Sequence, residues 1–225
     1  MIRRIVKTAD GSSTIFLEEW DEHYHSKHGA VQEAYHVFIK SGFFESFPGI
    51  KNRRLRILEI GFGTGLNAFI TLLESDKLKV PIHYEGVEAY PVTEQEWELL
   101  EYPEQLQRPA MKPLFEHMHR QEWDQTLELT PYFSLRKRKQ FFNEITDEAR
   151  FDLIYFDAFG ARVQPDLWEE DIFAAMYRAL DHDGILTTYS SKGSVRRAMM
   201  HVGFEVEKLP GPPGKREMLR ARKNS

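Results

Sequence analysis

The stretch LEIGFGTGLN, residues 58–67, is the part of this sequence that most directly indicates binding chemistry. Glycine occupies every second position there, at Gly61, Gly63 and Gly65, directly after an apolar run. Because glycine tolerates positive φ and lets a backbone come into contact with a ligand, the pattern predicts a binding turn. The dinucleotide-binding pattern is G-x-G-x-x-G, with a pyrophosphate at the helix N-terminus, and the spacing here differs from it. The simpler alternative is a strand-to-helix turn that binds nothing.

The G-x-G-x-G spacing, with the acid Glu59 inside the strand end, resembles motif I of the class I S-adenosylmethionine-dependent methyltransferases. In that family the loop faces the methionine and ribose of the cofactor, and no phosphate is present. The resemblance implies S-adenosyl-L-methionine as the cofactor. The residues that it places at the cofactor are Glu59, Gly61, Gly63, Gly65 and Asn67.

Acidic residues stand at the ends of two predicted strands. Glu88 ends the second strand, where a carboxylate in nucleoside-binding α/β folds accepts hydrogen bonds from both ribose hydroxyls. The alternative interpretation of Glu88 is a surface acid. Asp157 ends the fourth strand, and open α/β sheets bind ligands outside the carboxyl ends of their strands. We therefore expect Asp157 to face the crevice, and Asp152, at the strand's other end, to be structural or solvated.

Strand-like and helix-like segments alternate along the chain, which is typical of a doubly wound, mostly parallel sheet. The predicted strands are residues 55–60, 82–90, 132–138, 151–159, 184–190, 204–209 and 217–222. Together with the motif I resemblance they predict an α/β class I S-adenosylmethionine-dependent methyltransferase fold with a seven-stranded sheet. We expect a single methyltransferase domain over residues 1–225, with an N-terminal extension (about 1–50) and an insertion (about 91–131). The aromatic residues of the insertion are expected to pack its own small core rather than to stack on a base.

Composition limits the chemistry that this chain can perform. At 225 residues, 41% of them hydrophobic, it can bury one sizeable core. The absence of cysteine excludes disulfides, thiolate zinc sites and a cysteine nucleophile, and fits a cytoplasmic protein. No run approaches the ~18 apolar residues of a membrane span, so no membrane contact is expected. His23, His25 and His28 have a loosely metal-like spacing, but we interpret them as loop residues and expect no metal.

The formal net charge of −5 means that any surface for nucleic acid must be local. Three basic clusters occur, at residues 136–139, 192–197 and 215–223. Each cluster taken singly is equally well explained as a solvated face, whereas three together are more suggestive of an anionic partner.

Longer stretches resemble one family in particular, namely LEIGFGTGLNA, VEAYP, FDLIYFDAFGARVQPDLWEEDIF, TTYSSKGSVRRAMMHVGFEVEKLPGPPGKREML and HGAVQEAYHVFI. From about Ser13 to Arg222 the chain resembles the methyltransferase domain of the MnmC-type tRNA wobble-uridine modification enzymes, in the stand-alone MnmD-like form (DUF752 family). The resemblance implies methylation of the exocyclic amine of 5-aminomethyl-2-thiouridine, giving 5-methylaminomethyl-2-thiouridine. It also implies tRNA, at its anticodon region, as the partner, a separate enzyme that supplies the aminomethyl-uridine, and no flavin in this chain.

Methyl transfer from a sulfonium is an in-line displacement that needs a neutral amine, yet a free alkylamine is mostly protonated at neutral pH. We expect Asp157 to be catalytic, orienting the amine and accepting or relaying its proton; a competing role is to bind the α-amino group of the cofactor. The lone His36 is expected in the core, and the adenine contact is left open between Gln140 and Asn143. The substrate-binding residues implied by the resemblance are Glu33, Tyr35, Phe159, Lys192, Arg196, Arg197, Lys215 and Arg216.

Two other functions remain open at this point. A small-molecule amine methyltransferase or aminopropyl transferase on the same fold would keep the cofactor site and would not need the basic residues. A catalytically silent RNA-binding module would keep the basic surface and would not need the glycine turn, Glu88 and Asp157 together.

Overall fold

The computed structural model describes residues 2–50 and 52–224. The chain begins with a small antiparallel sheet of strands β1 (Arg3–Lys7), β2 (Ser13–Leu17) and β3 (Glu22–His23), in the order β1-β2-β3. Ile15 of β2 is fully buried and pairs with Ile5 of β1, so one face of this sheet packs on the main core. The predicted N-terminal extension is therefore a structured element that rests on the main core.

A helical segment follows this sheet and enters the core. Helix α1 (Ala30–Ala34) continues into a π-helical stretch, Tyr35–Phe43, and then into the short α2 (Phe44–Ser46). The ring of Phe38 lies 5.1 Å from that of Tyr155 in the central sheet. A side chain at Gly42 would meet the Tyr155 ring at 3.1 Å, so glycine permits the close approach of helix and sheet.

The central sheet and its crossover helices occupy the rest of the chain. Their bounds are β4 Leu55–Ile60, α3 Leu66–Leu78, β5 Ile82–Val87, α4 Glu94–Trp97, α5 Tyr102–Gln105, α6 Lys112–Arg120, β6 Thr126–Thr130, β7 Phe133–Arg138, β8 Phe151–Phe156, α7 Glu170–Ala179, β9 Leu180–Thr188, α8 Gly193–His201, β10 Glu205–Pro210 and β11 Glu217–Arg222. Single 3₁₀ turns cover Glu18–Trp20, Phe47–Gly49, Pro109–Met111, Phe142–Glu144 and Pro165–Trp168.

The order of strands in the central sheet is β10-β11-β9-β8-β4-β5-β7-β6. The five strands β4, β5, β7, β8 and β9 pair in parallel, and β6, β10 and β11 join through antiparallel pairs. The predicted fold class is confirmed, but the predicted strand number is too small by one. The eighth strand is β6, which pairs with β7 at the edge of the sheet. Its sequence, TLELT, lies in the segment assigned to the insertion and lacks the continuous apolar run of a strand buried on both faces.

Apolar strand sequences explain the position of the core. Every residue of β8, FDLIYF, is buried, as expected for a strand covered by helices on both faces. Helix α7 covers one face, where Phe173 packs 5.2 Å from Phe156, and α3 covers the other. At the amino end of β8, Asp152 accepts hydrogen bonds from Arg53 and Arg56, which confirms its predicted structural role.

The insertion packs as a small helical layer beside α3. Trp97, Tyr102 and Phe115 are buried in the main core, and the Phe115 ring lies 5.1 Å from Phe69 of α3. These aromatic side chains pack, as predicted, but they join the main core instead of forming a separate small core of the insertion. Within the described part of the chain, no helix is long and apolar enough to cross a membrane.

Candidate active site

A cavity of about 930 Å³ opens at the carboxyl ends of β4, β5 and β8, where the order of the parallel strands reverses. Its walls come from the glycine turn after β4, from the loops after β5, β7 and β8, and from the N-terminal sheet. Six of the residues predicted for the site line it, namely Gly61, Gly63, Asn67, Glu88, Asp157 and Phe159.

The glycine turn needs glycine for two separate reasons. Gly61 has φ +90°, and a Cβ there would lie 2.7 Å from the carbonyl oxygen of Asp157. Gly63 has φ +50°, and a Cβ there would lie 3.1 Å from the ring of Tyr24. Gly65 caps α3 at φ +72° and lies under Met118 and His119, outside the cavity lining. The turn thus brings bare backbone to the cavity wall at Gly61 and Gly63.

Glu88 is held against this turn by the backbone. Its two carboxylate oxygens accept hydrogen bonds from the N–H of Gly63 at 3.0 Å and from the N–H of Tyr90 at 2.9 Å. Burial raises the pKa of the Glu88 carboxyl. Each oxygen keeps a further lone pair, so the carboxylate can accept two more hydrogen bonds from a ligand in the cavity.

A single amide joins the two acids predicted on β4 and β8. Nδ2 of Asn67 donates to Glu59 Oε1 at 2.9 Å and to Asp157 Oδ2 at 2.8 Å. Glu59 is fully buried and lies outside the cavity lining, and burial raises its pKa well above the usual range. Glu59 therefore supports Asn67 and Asp157 from beneath the cavity floor.

The charge of Asp157 depends on groups from three other elements. Burial and, to a smaller extent, the negative charge of Glu33 raise the pKa of its carboxyl, which lies at about 7. The hydrogen bond from Asn67 and the positive charge of Lys215 act in the opposite direction. Near neutral pH Asp157 is therefore poised to exchange a proton, as a general base must.

Lys215 and Glu33, both predicted to bind substrate, form an ion pair with each other. Lys215 Nζ lies 2.6 Å from Glu33 Oε2 and 3.9 Å from the centre of the Tyr189 ring. Tyr35 donates its hydroxyl to Glu74 at 3.2 Å. Neither Glu33, Tyr35 nor Lys215 lines the cavity. The Glu33–Lys215 pair joins the N-terminal helical segment to the turn between β10 and β11, and the Tyr35 hydroxyl joins the same segment to α3.

The remaining basic residues predicted to contact substrate lie at one edge of the sheet. Lys192, Arg196 and Arg197 are at the start of α8, and Arg216 is in the turn between β10 and β11. The start of α8 lies at the edge of the sheet where β9 and β10 end. The turn between β10 and β11 lies at the same edge. Arg196 is half-buried and the other three are exposed, and none lines the cavity.

Trp20 and Tyr24, from the N-terminal sheet, are cavity residues that the sequence analysis did not identify. No motif marks them, and only folding brings them to the carboxyl edge of the central sheet. Of the two residues considered for an adenine contact, Asn143 lines the cavity and Gln140 does not. His36 is half-buried rather than in the core, with Nε2 2.7 Å from the carbonyl oxygen of Pro210.

The cavity is acidic. The carboxylates of Glu88, Glu96, Asp157, Glu169 and Asp171 are among its lining groups. Among the described lining residues Arg3 is the one arginine or lysine, and it is paired with Glu96 at 3.1 Å. This charge balance favours a cationic ligand. Among residues 2–50 and 52–224 no group of three or more metal-ligating side chains is placed to hold a metal ion.

The fold, the glycine turn and the strand-end acids define a class I methyltransferase. Residues 101–224 match the S-adenosyl-L-methionine-dependent methyltransferase family. The chain belongs to that family, which confirms the predicted class of enzyme and its cofactor.

The chain is also similar to individual proteins and solved structures. The chain is 30% identical over 223 residues to the tRNA 5-methylaminomethyl-2-thiouridine biosynthesis bifunctional protein MnmC of Marinomonas sp. (strain MWYL1), covering 92% of this chain and 32% of that protein. The chain thus spans about a third of the length of the curated relatives it matches. The crystal structure of MNMC2 from Aquifex aeolicus superposes with a TM-score of 0.78 at 26% identity, over 98% of this chain and 70% of that one. Spermidine synthase from Thermotoga maritima superposes with a TM-score of 0.58 at 14% identity, over 99% of this chain and 69% of that one, which shows a shared fold.

Proposed function

We propose that this protein methylates the exocyclic amine of 5-aminomethyl-2-thiouridine at the wobble position of tRNA, giving 5-methylaminomethyl-2-thiouridine. The observation that carries the proposal is Asp157, placed on the cavity wall beside the glycine turn with a carboxyl pKa of about 7. The proposal is also supported by relatives that are named as tRNA 5-methylaminomethyl-2-thiouridine biosynthesis proteins, which match 92% of this chain.

The residues present fit S-adenosylmethionine. The bare backbone at Gly61 and Gly63 leaves room that a Cβ would fill, and Glu88 has lone pairs free for two ribose hydroxyls. The acidic cavity suits the sulfonium and ammonium charges of this cofactor. When bound, the cofactor supplies an electrophilic methyl group. In this assignment Gly61, Gly63, Asn67 and Glu88 hold the cofactor, with Glu59 and Gly65 in support.

Asp157 would handle the proton of the acceptor amine. An ammonium group beside the carboxylate stabilises the ionised form of Asp157, so the acid binds the amine as an ion pair and orients it. Transfer of one proton from the ammonium to Asp157 frees the nitrogen lone pair for attack. Asn67 holds the acid in place through the 2.8 Å hydrogen bond. The kcat/KM for methyl transfer should therefore rise toward pH 7 as the ionised fraction of Asp157 in the free protein increases.

The anticodon region of tRNA would bind at the basic edge of the sheet. We assign phosphate contacts to Lys192, Arg196, Arg197 and Arg216, which lie at the edge where the cavity opens. Because Lys215 is paired with Glu33, Lys192 and Arg196 are better variants for testing phosphate contacts.

The proposal also covers the extent of the domain, the cofactor, the source of the substrate and the compartment. Residues 1–225 would act as one methyltransferase domain, and methyl transfer itself requires no flavin because no electrons leave or enter the substrate. A separate enzyme would supply the aminomethyl-uridine, and the reaction would take place in the cytoplasm, where tRNA is modified.

The test uses tRNA that carries 5-aminomethyl-2-thiouridine and methyl-labelled S-adenosylmethionine, with mass spectrometry of the nucleosides. We expect one labelled methyl group on the wobble nucleoside with the wild-type protein. Asp157→Asn should cut turnover while leaving tRNA affinity nearly unchanged. It should also replace the levelling of the wild-type rate above pH 7 by a rate that keeps rising with pH, because the neutral amine must then come from solution. Unlabelled tRNA together with a methylated free alkylamine would assign the protein to the small-molecule transferases instead.

The RNA contacts have their own matched pair of variants. The double variant Lys192→Gln, Arg196→Gln should raise the Michaelis constant for tRNA. It should also reduce the slope of the logarithm of this constant against the logarithm of the salt concentration by about two, one for each lost phosphate contact. Lys77→Gln with Lys79→Gln removes the same charge at the end of α3, on the opposite edge of the sheet, and should change neither. An equal effect of the two pairs would contradict a tRNA site at the proposed edge.

A further inference from the structure

The N-terminal sheet supplies part of the cavity wall although it lies outside the methyltransferase sheet. Trp20, just before β3, and Tyr24, just after it, both line the cavity. Both rings make edge-to-face contact with Phe159, at centroid distances of 5.5 Å and 4.8 Å. Three aromatic side chains from two distant parts of the sequence therefore share one corner of the cavity.

This corner lies next to the reacting groups. Phe159 is two residues beyond Asp157 in the same loop, and Tyr24 reaches the glycine turn, where its ring lies 3.1 Å from the Cβ position of Gly63. Tyr24 is thus placed between the cofactor turn and Phe159. An acceptor whose amine reaches Asp157 would have its attached ring within reach of the three aromatic side chains.

Two arginines fasten the N-terminal sheet over the cavity. Arg162, in the loop after β8, donates to the carbonyl oxygens of Trp20 at 3.0 Å and Asp21 at 2.9 Å, and to Glu22 Oε2 at 2.9 Å. On the other side Arg3 donates to the carbonyl oxygen of Tyr90 at 3.0 Å, in the loop after Glu88. The Arg162 contacts hold the backbone of Trp20 against the loop that carries Asp157 and Phe159.

We propose that Trp20, Tyr24 and Phe159 form the recognition site for the planar heterocycle of the acceptor, and that Arg162 is a positioning residue for Trp20. Planar bases stack on aromatic side chains, and such stacking is a main source of recognition for bases outside a duplex. The N-terminal sheet is then a specificity element, since it adds two of the three rings. This inference rests on the proposed function for the identity of the acceptor.

The test measures binding of an anticodon stem-loop RNA that carries 5-aminomethyl-2-thiouridine, and of the same RNA with an abasic wobble position. The two RNAs present the same phosphates and differ in the heterocycle and in the aminomethyl group attached to it, and the Trp20 variants isolate the contribution of the ring. For wild-type protein we expect the base-bearing RNA to bind roughly 5- to 150-fold more tightly, the range for loss of one stacked base. Trp20→Ala should remove most of this difference. Trp20→Phe, which keeps an aromatic ring, should retain it and lose the tryptophan fluorescence change on binding.

Arg162→Ala tests the positioning role. We expect a higher Michaelis constant for the base-bearing RNA, an unchanged cofactor dissociation constant and an unchanged rate at saturating RNA. Arg120→Ala is the matched control, since Arg120 is an exposed arginine that bonds to Glu94, Glu98 and Glu116 on the insertion. It should change none of these values, and thermal melts should show that all variants are folded.

Specific results would overturn the inference. If Trp20→Ala weakens the binding of both RNAs equally, or weakens cofactor binding as much as binding of the base-bearing RNA, the aromatic corner does not recognise the heterocycle. Methyl transfer to the stem-loop is scored separately. Normal transfer without base-dependent binding refutes the aromatic site alone, whereas absent transfer with base-dependent binding refutes the proposed reaction and leaves the aromatic site in place.

Discussion

Replacement of Glu88, which directly follows β5, tests whether this acid binds the cofactor. Its carboxylate accepts the backbone N–H groups of Gly63 and Tyr90, at 3.0 Å and 2.9 Å, with one bond to each oxygen. Glu88→Ala removes both bonds and the proposed ribose contact. Glu88→Gln is not conservative here, because its NH₂ group would face one of two backbone donors whichever way the amide is turned. We therefore expect glutamine to be nearly as harmful as alanine.

The size of the effect follows from the number of bonds. A hydrogen bond to a charged group contributes about 1.5–3 kcal/mol. Burial of the charge, which raises the pKa of Glu88, and water in the cavity each offset part of the bonding to the two N–H groups, so the free energy of unfolding should fall by no more than about 1.5–3 kcal/mol in total. Loss of the ribose contact should raise the cofactor dissociation constant roughly 10- to 150-fold, which corresponds to the same energy range.

The assay combines isothermal titration calorimetry with S-adenosylmethionine and urea unfolding without it. Glu98→Ala is the control, since Glu98 is a half-exposed acid on the nearby insertion whose partner is Arg120 at 3.5 Å. It should alter neither value. A Glu88→Gln protein with wild-type affinity and wild-type stability would refute the two-acceptor geometry and the ribose role together.

Two further predictions concern the glycine turn and the buried histidines. Gly63→Val should abolish cofactor binding in calorimetry with the circular dichroism spectrum preserved, because a β-branched residue is strained at φ +50° and meets Tyr24 at 3.1 Å; Gly49→Val, where a Cβ meets nothing within 4 Å, should bind normally. Burial lowers the pKa of His25 to about 4 and that of His119 to about 3, so the unfolded chain takes up protons below pH 6.5 that the folded protein does not. Stability is therefore lost as the pH falls below 6.5, and His25→Asn or His119→Asn should each reduce the slope of unfolding free energy against pH by about 1.4 kcal/mol per unit. The free energy of unfolding is measured between pH 4.5 and 7. If it changes with pH equally in the variants and the wild type, these rings are protonated in the folded state.

Local patterns determined most of the framework. The strands β4 and β11 have the bounds predicted from the sequence, and the class of fold follows from apolar runs that alternate with helical segments. The positions of Glu88 and Asp157 on the cavity wall were also predictable, because the carboxyl ends of parallel strands meet at one edge. Such features depend on residues that are close together in the sequence or on a topology shared by all doubly wound sheets.

Tertiary structure decided the contacts between distant segments. The Glu33–Lys215 ion pair joins residues from opposite ends of the chain, and neither residue carries a local signal of its partner. The same holds for Trp20 and Tyr24, whose sequence neighbourhood is that of an ordinary edge hairpin. The short polar strand β6 was missed because its sequence has no strand pattern of its own. It is a strand because it pairs with β7 at the edge of the sheet. Periodicity reports which face of an element is buried, whereas the identity of the side chain opposite it depends on how the whole chain packs.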